Sequence, residues 1–219
     1  MSAAPVAVDA FAGLPDTARR IVDAAIETFA ERGYHATTTR DIALGAGLSP
    51  AGLYVHYPSK AAVLAQVSIL GHDAALRLVQ TALADDAQPS SATRLRTCVE
   101  TFTAWHALHH KVARVVQYEL GALAPDDRAD VARRRRSIES LVEGEVRRGV
   151  ERGELAVDDP HGVTRAVLSL CIDVARWYDP AGRESPQDVA SLYGSLVLRM
   201  LGAAPHDPPP ATNPSPEDQ

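Results

Sequence analysis

The stretch Thr37–Lys60, TTTRDIALGAGLSPAGLYVHYPSK, decides the fold. Thr38 stands where a helix begins, and Asp41 follows three residues later. A Thr side chain at that position accepts a bond from a backbone N–H one turn on, and the acid bonds back. The helix so started runs to about Ala46 and buries Ile42 and Ala43. Gly47 follows where a helix ends in a left-handed residue. Ser49 then caps a second helix, with Pro50 at its first position, where a missing N–H costs nothing. That helix runs to about Tyr57, is under three turns long and cannot stand alone in water. Leu48 and Leu53 anchor it, Pro58 ends it and Ser59 caps the next helix. Two short helices joined by a tight Gly-containing turn form a helix-turn-helix. The second helix of such a unit enters the DNA major groove, its N-terminal residues toward base edges.

Helix one is expected from Asp16 to Arg32, stopped by Gly33. Ile21, Val22, Ala25, Ile26 and Phe29 recur at helical spacing and face the helix-turn-helix. Residues 1–13 precede it as a flexible arm with no Arg or Lys to reach into a minor groove. From Ser59 to about Ala84 the pattern is one long helix, its buried line Val63, Leu64, Val67, Leu70, Ala74 and Leu78. The DDAQPSS segment (85–91) is a loop. Beyond it, apolar stripes mark further helices around Leu95–Trp105, Val112–Leu123, Ile138–Val150, Val163–Tyr178 and Val189–Leu201. The fold class is therefore all-α. A three-helix domain (14–60) precedes a helical ligand-binding and dimerisation domain (61–203) and a disordered, Pro-rich tail (204–219).

With 219 residues the chain can bury a sizeable core, and its formal charge of −6 argues against generic nucleic-acid binding. A helix-turn-helix dimer can still hold phosphates through helix N-termini, hydroxyls and a few cations. No charged, apolar leader opens the chain, and no segment reads as a membrane span. Cys98 and Cys171 lie far apart, in no metal or redox spacing. A cytoplasmic protein is expected. No Gly-rich phosphate loop, nucleophile elbow or paired metal motif occurs, so no enzyme and no cofactor is expected.

The run AAIETFAERGYHATTTRDIALGAGLSPAGLYVHYPSKAAVL resembles the DNA-binding domain of the TetR family of bacterial transcription regulators. The TT-x-RDIA, AG-L-S and LY-x-HY-x-SK phrases stand in the family order and spacing. The resemblance implies a homodimer built through the last two helices, a double-stranded DNA operator and a small-molecule effector. It also implies that Tyr54 and Lys60 contact DNA phosphates. Thr38, Arg40, Ser49, Pro50, Ala51 and Gly52 are the remaining candidates. Tyr57 is a further one, with core packing as its alternative. His56 caps, packs or touches phosphate. Pro50 and Ala51 are suited to apolar contact with thymine methyls.

Three features of the second domain stand out. His106 and His110 are four apart, the spacing of two metal ligands on one helix face, but no acid or Cys beside them completes a set. Arg133–Arg136 point around most of a helix, as a solvated face paired with acids or as partners of ligand phosphates. Glu119 sits in an apolar stripe, either paired with an Arg or lining a cavity. HHKVARVVQYE (109–119), RGEL (152–155) and VARWYDPAG (174–182) look like the branch of the family that governs lipid, fatty-acid and steroid degradation. That likeness implies a repressor released by an acyl-CoA thioester or a similar apolar effector. Trp105, Val116, Tyr118, Glu119, Leu141 and Cys171 are the candidate cavity walls. A multidrug-responsive repressor of an efflux pump is the alternative.

Overall fold

The computed structural model describes residues 9–84 and 90–203. Residues 85–89 of the loop read at 85–91, the first eight residues of the arm and the tail from 204 lie outside the described residues, and Ser91, read as loop, opens a helix. Nine α-helices and no strand occur among those described.

Helix α1 (Asp16–Arg32) buries Ile21, Val22, Ala25, Ile26 and Phe29 on one face. Gly33 ends it at φ 78°, its N–H donating to Phe29 O at 2.9 Å. Helix α2 (Thr39–Gly45) starts at a complete capping box. The Thr38 hydroxyl accepts from Asp41 N at 3.2 Å, and Asp41 Oδ2 accepts from Thr38 N at 2.9 Å. The turn after α2 is a Schellman motif. Leu48 N donates to Ala43 O at 2.8 Å and Gly47 N to Leu44 O at 3.0 Å, with Gly47 at φ 68°. A side chain at Gly47 would be strained in that left-handed region. Helix α3 (Pro50–His56) is capped by the Ser49 hydroxyl, which accepts from Gly52 N at 3.1 Å.

Helix α4 (Lys60–Leu83) is the spine. Its first half packs on α1–α3 through Val63, Leu64 and Val67, and its second half packs into the other domain through Ala75 and Val79. By length and composition α4 is apolar enough to cross a membrane, contrary to the sequence expectation. Most of that stretch is buried within this fold, which accounts for its composition. Then come α5 (Ser91–Leu108), α6 (His110–Tyr118), a 3-10 turn (Leu120–Ala122), α7 (Pro125–Glu151), α8 (Pro160–Trp177) and α9 (Pro186–Met200).

Several expectations need correction. The chain breaks at His109, between α5 and α6, so His106 and His110 do not share one continuous helix face. His106 is buried and its Nδ1 bonds Phe102 O at 2.7 Å, while His110 Nδ1 bonds Ala107 O at 3.1 Å. Glu119 and Leu123 lie beyond α6, not in it. The described part of the arm, residues 9–13, packs on the fold. Phe11 is buried in the first core, and Asp9 pairs with Arg19 at 2.7 Å. On α8 and α9, Leu170, Trp177, Leu192, Leu196 and Met200 remain exposed, an apolar face without cover in one copy of the chain.

Candidate functional site

The reading surface is assembled by local capping. Thr38, Arg40, Ser49, Pro50, Ala51 and Tyr54 are exposed on α2, α3 and their caps, and Gly52 is half-buried. The Tyr54 hydroxyl lies 3.1 Å from Thr39 Oγ1, a link between α2 and α3 that the sequence reading missed. Leu44 and Val55 are also exposed beside it, large apolar side chains facing solvent.

Two DNA candidates have partners within the fold, Tyr57 in the packing role that was its alternative. Tyr57 is 8% exposed and packs in the core beneath α3. Lys60 holds the scaffold instead of standing free. Its Nζ donates to Tyr34 O and Thr37 O, both at 2.6 Å, and lies 4.2 Å from the Tyr34 ring centre. Those carbonyls belong to the loop between α1 and α2, where Tyr34 O also accepts from Thr37 N at 3.2 Å. Lys60→Ala is therefore expected to destabilise the DNA-binding half by about 2 kcal/mol, the scale of hydrogen bonds to a charged group. Thermal melting at fixed protein concentration, beside operator gel shifts, checks this. Unchanged melting with weaker operator binding would assign Lys60 to phosphate after all.

Glu119 is neither of the two things its sequence suggested. Its Oε1 accepts the Tyr34 N–H at 3.0 Å, so the same loop is gripped from the far side by the end of α6. Lys111 of α6 also pairs with Glu27 of α1. The loop after α1 thus answers to both α4 and α6.

Those two helices share a cavity. About 600 Å³ of space lies among α4, α5, α6, α7 and α8. Ala75, Phe102, Trp105, Val112, Val116 and Ile138 give it an apolar wall. Trp105, Val116 and Tyr118 line it as read from sequence, with Tyr118 exposed. The other three candidates do not. Glu119 is engaged with Tyr34, Leu141 is not among the lining residues and is exposed, and Cys171 is buried in the second core. Burial pushes the Cys171 thiol up to about 11, as expected for a thiol with no charge nearby to stabilise a thiolate.

The charged lining is more basic than acidic: Arg114, Arg135, Arg165 and Arg176 against Glu139 and Asp173. Asp173 already grips Arg176 with both oxygens, each at 2.8 Å. The arginine run resolves by helix phase. Arg133 pairs with Asp130, Arg134 with Asp73 at 2.6 Å, and Arg136 is exposed, whereas Arg135 turns into the cavity. Arg135 Nη2 donates to the neutral Gln117 Oε1 at 2.8 Å. Burial holds the Arg135 guanidinium below its ordinary value, and among the described residues no carboxylate pairs with it. A half-buried cation served by an amide is a site prepared for an anion. His72 and Gln117 were not singled out in the sequence, whereas Arg135 stood in the run offered as partners of ligand phosphates. No sequence spacing pointed to His72 or Gln117, which lie on other helices than the arginine run.

Comparison with known proteins agrees with this architecture. Residues 21–67 match the family described as bacterial regulatory proteins, tetR family. Residues 88–201 match the tetracyclin repressor-like C-terminal domain. The chain is 30% identical over 205 residues to the HTH-type transcriptional repressor KstR2 of Rhodococcus jostii (strain RHA1), covering 93% of this chain and 99% of that protein. Among solved structures, it is similar to a bacterial regulatory protein in the tetR family from Rhodococcus RHA1. The identity is 37% and the TM-score 0.81, over 87% of this chain and 100% of that one. The ketosteroid transcriptional regulator KstR2 of Mycobacterium tuberculosis aligns at 27% identity and TM-score 0.76, over 84% and 94%. With its helix-turn-helix exposed at one end and a helical domain with a cavity at the other, this chain belongs to the TetR family of bacterial transcription regulators.

Proposed function

We propose that the protein is a cytoplasmic homodimeric repressor, released from its operator by an acyl-CoA thioester of lipid or steroid degradation. The observation that carries the effector class is Arg135, a half-buried guanidinium without a carboxylate in a cavity whose wall is otherwise largely apolar. An effector with an apolar acyl part and an anionic part suits both features. The likeness to KstR2 repressors supports the same reading. The excess of arginine over acid opposes the efflux alternative, because planar cationic drugs require acidic walls.

The uncovered apolar face of α8 and α9 supports a dimer through those helices. A two-fold dimer sets two reading helices roughly 34 Å apart, one DNA turn. Thr38, Arg40, Ser49, Pro50, Ala51, Gly52 and Tyr54 form the DNA face in this proposal. Control runs along α4. From Lys60 at the loop to His72 at the cavity is about 18 Å of helix at 1.5 Å per residue. Ligand contact on α4 and α6 reaches the α1–α2 loop through Lys60 and Glu119. The effector shifts the spacing only by its differential affinity for the two states.

The test is a gel shift on DNA from around the protein's own gene, with a series of acyl-CoA thioesters, and with CoA and free acids as controls. Release by thioesters alone is the expected result. A complex that no thioester disturbs would discard this effector class and keep the DNA-binding role. Arg135→Gln should raise the thioester concentration needed for release by about tenfold or more, the scale of one charge-assisted bond. An unchanged release curve would remove Arg135 from the effector site.

A further inference from the structure

His72 of α4 and His106 of α5 both line the cavity, and each is more than nine-tenths buried. His72 Nδ1 lies 2.8 Å from Ser68 O, and His106 Nδ1 lies 2.7 Å from Phe102 O. A carbonyl oxygen only accepts, so Nδ1 carries the hydrogen in both rings. In the neutral ring Nε2 is then a bare acceptor. Among the described residues neither Nε2 has a hydrogen-bond partner. Burial lowers both imidazoles to about 4, so they are neutral near pH 7, and charge on His72 further opposes charge on His106. The His106 ring is held in place by Phe102 and Trp105, at 4.4 and 5.2 Å between ring centres.

We propose that His72 and His106 form a hydroxyl-recognition wall, selecting an effector whose apolar part carries a hydrogen-bond donor. The surroundings make the choice sharp. Ala75, Val112 and Val116, on the same wall, have no side-chain donor to offer the imidazole acceptors. A plain hydrocarbon chain leaves two desolvated lone pairs facing carbon. A keto group brings a third acceptor to the same place. A hydroxyl donates to one imidazole, and a second hydroxyl or a trapped water serves the other. Because His72 sits on α4, recognition there bears on the helix that carries the DNA reader. The assignment to an acyl group rests on the proposed thioester effector, but the donor requirement belongs to the imidazoles themselves.

Two sets of probes separate the two ideas. The first is octanoyl-CoA, 3-oxooctanoyl-CoA, 3-hydroxyoctanoyl-CoA and 8-hydroxyoctanoyl-CoA, measured by calorimetry on the full-length protein. At least one hydroxy thioester should bind about tenfold or more tightly than both donor-free thioesters. The second set lacks CoA altogether: octan-1-ol against octyl methyl ether, followed by the nitrogen resonances of ¹⁵N-labelled histidine. The alcohol should shift the Nε2 signals of two histidines, and the ether should not. His106→Phe should abolish both preferences. If that variant does not melt cooperatively, His72→Phe replaces it, and the wild-type comparison decides alone. Hydroxy and donor-free probes of equal effect in both sets would overturn the hydroxyl wall and leave the thioester reading standing. Shifts with octan-1-ol alone, with no thioester bound, would keep the wall and discard the thioester.

Discussion

Arg94→Met is expected to cost about 3–5 kcal/mol of unfolding free energy, the range found when one partner of a buried ion pair is removed. Glu145 of α7 is 2% exposed, and Arg94 of α5 is 8% exposed. Arg94 Nε and Nη2 donate to the same Glu145 oxygen at 2.9 and 2.7 Å. Arg148 serves the other oxygen from a half-exposed position. Without Arg94, a carboxylate inside the second core keeps one partner that is itself drawn toward water. The double variant Arg94→Met/Glu145→Leu should recover most of the loss, because a well-packed apolar pair is close to neutral in exchange for a buried ion pair. Urea denaturation of both variants at one protein concentration measures this, since dimerisation makes apparent stability concentration-dependent. A loss under about 1 kcal/mol for Arg94→Met would show that Arg148 alone compensates the charge.

Acid should destabilise the protein in a window set by the two cavity histidines. Each falls from an ordinary 6.5 to about 4 in the folded chain because burial opposes its charged form. Above pH 6.5 both states are neutral and the histidines contribute no pH dependence. As pH drops from about 6.5 toward 4, the unfolded chain takes up protons that the folded chain refuses, so stability falls. The loss is on the order of 3 kcal/mol for each histidine by pH 4. His109, also lowered by burial, acts in the same direction. Asp9, Asp41, Asp173 and Asp188 are lowered from 3.8 by hydrogen bonds to their charged forms. Their contribution is present above 3.8 and is lost below it, so it lies largely beneath the histidine window. Denaturation midpoints at pH 7 and pH 4.5 should therefore differ strongly in the wild type. They should differ much less in His72→Phe/His106→Phe. Equal slopes for the two proteins would mean that the imidazoles take up protons in the folded state.

The legible parts of this chain are those whose partners sit within one helical turn. The capping box at Thr38 and Asp41, the left-handed Gly47 and the Ser49-Pro50 start are local events, and each stands in the structure as read. The partners of Lys60 and Glu119 were illegible for the opposite reason. Lys60 meets Tyr34, 26 positions away, and Glu119 meets it across 85. No spacing rule spans such distances. The cavity was half legible. Trp105, Val116 and Tyr118 fall on it, while Cys171 and Leu141 fall on either side, because the stripe on a helix does not say which neighbour it meets.

The sequence by itself determined an all-α chain with a capped helix-turn-helix and its family, because propensity, caps and glycine turns act over a few residues. Only the tertiary structure decided that Arg135, alone of its run, enters the cavity, and that His72 and His106 keep their Nε2 atoms unpartnered beside it. Those outcomes depend on the phase at which α4, α5 and α7 meet. That phase is set by the packing of five helices together, which no single stretch encodes.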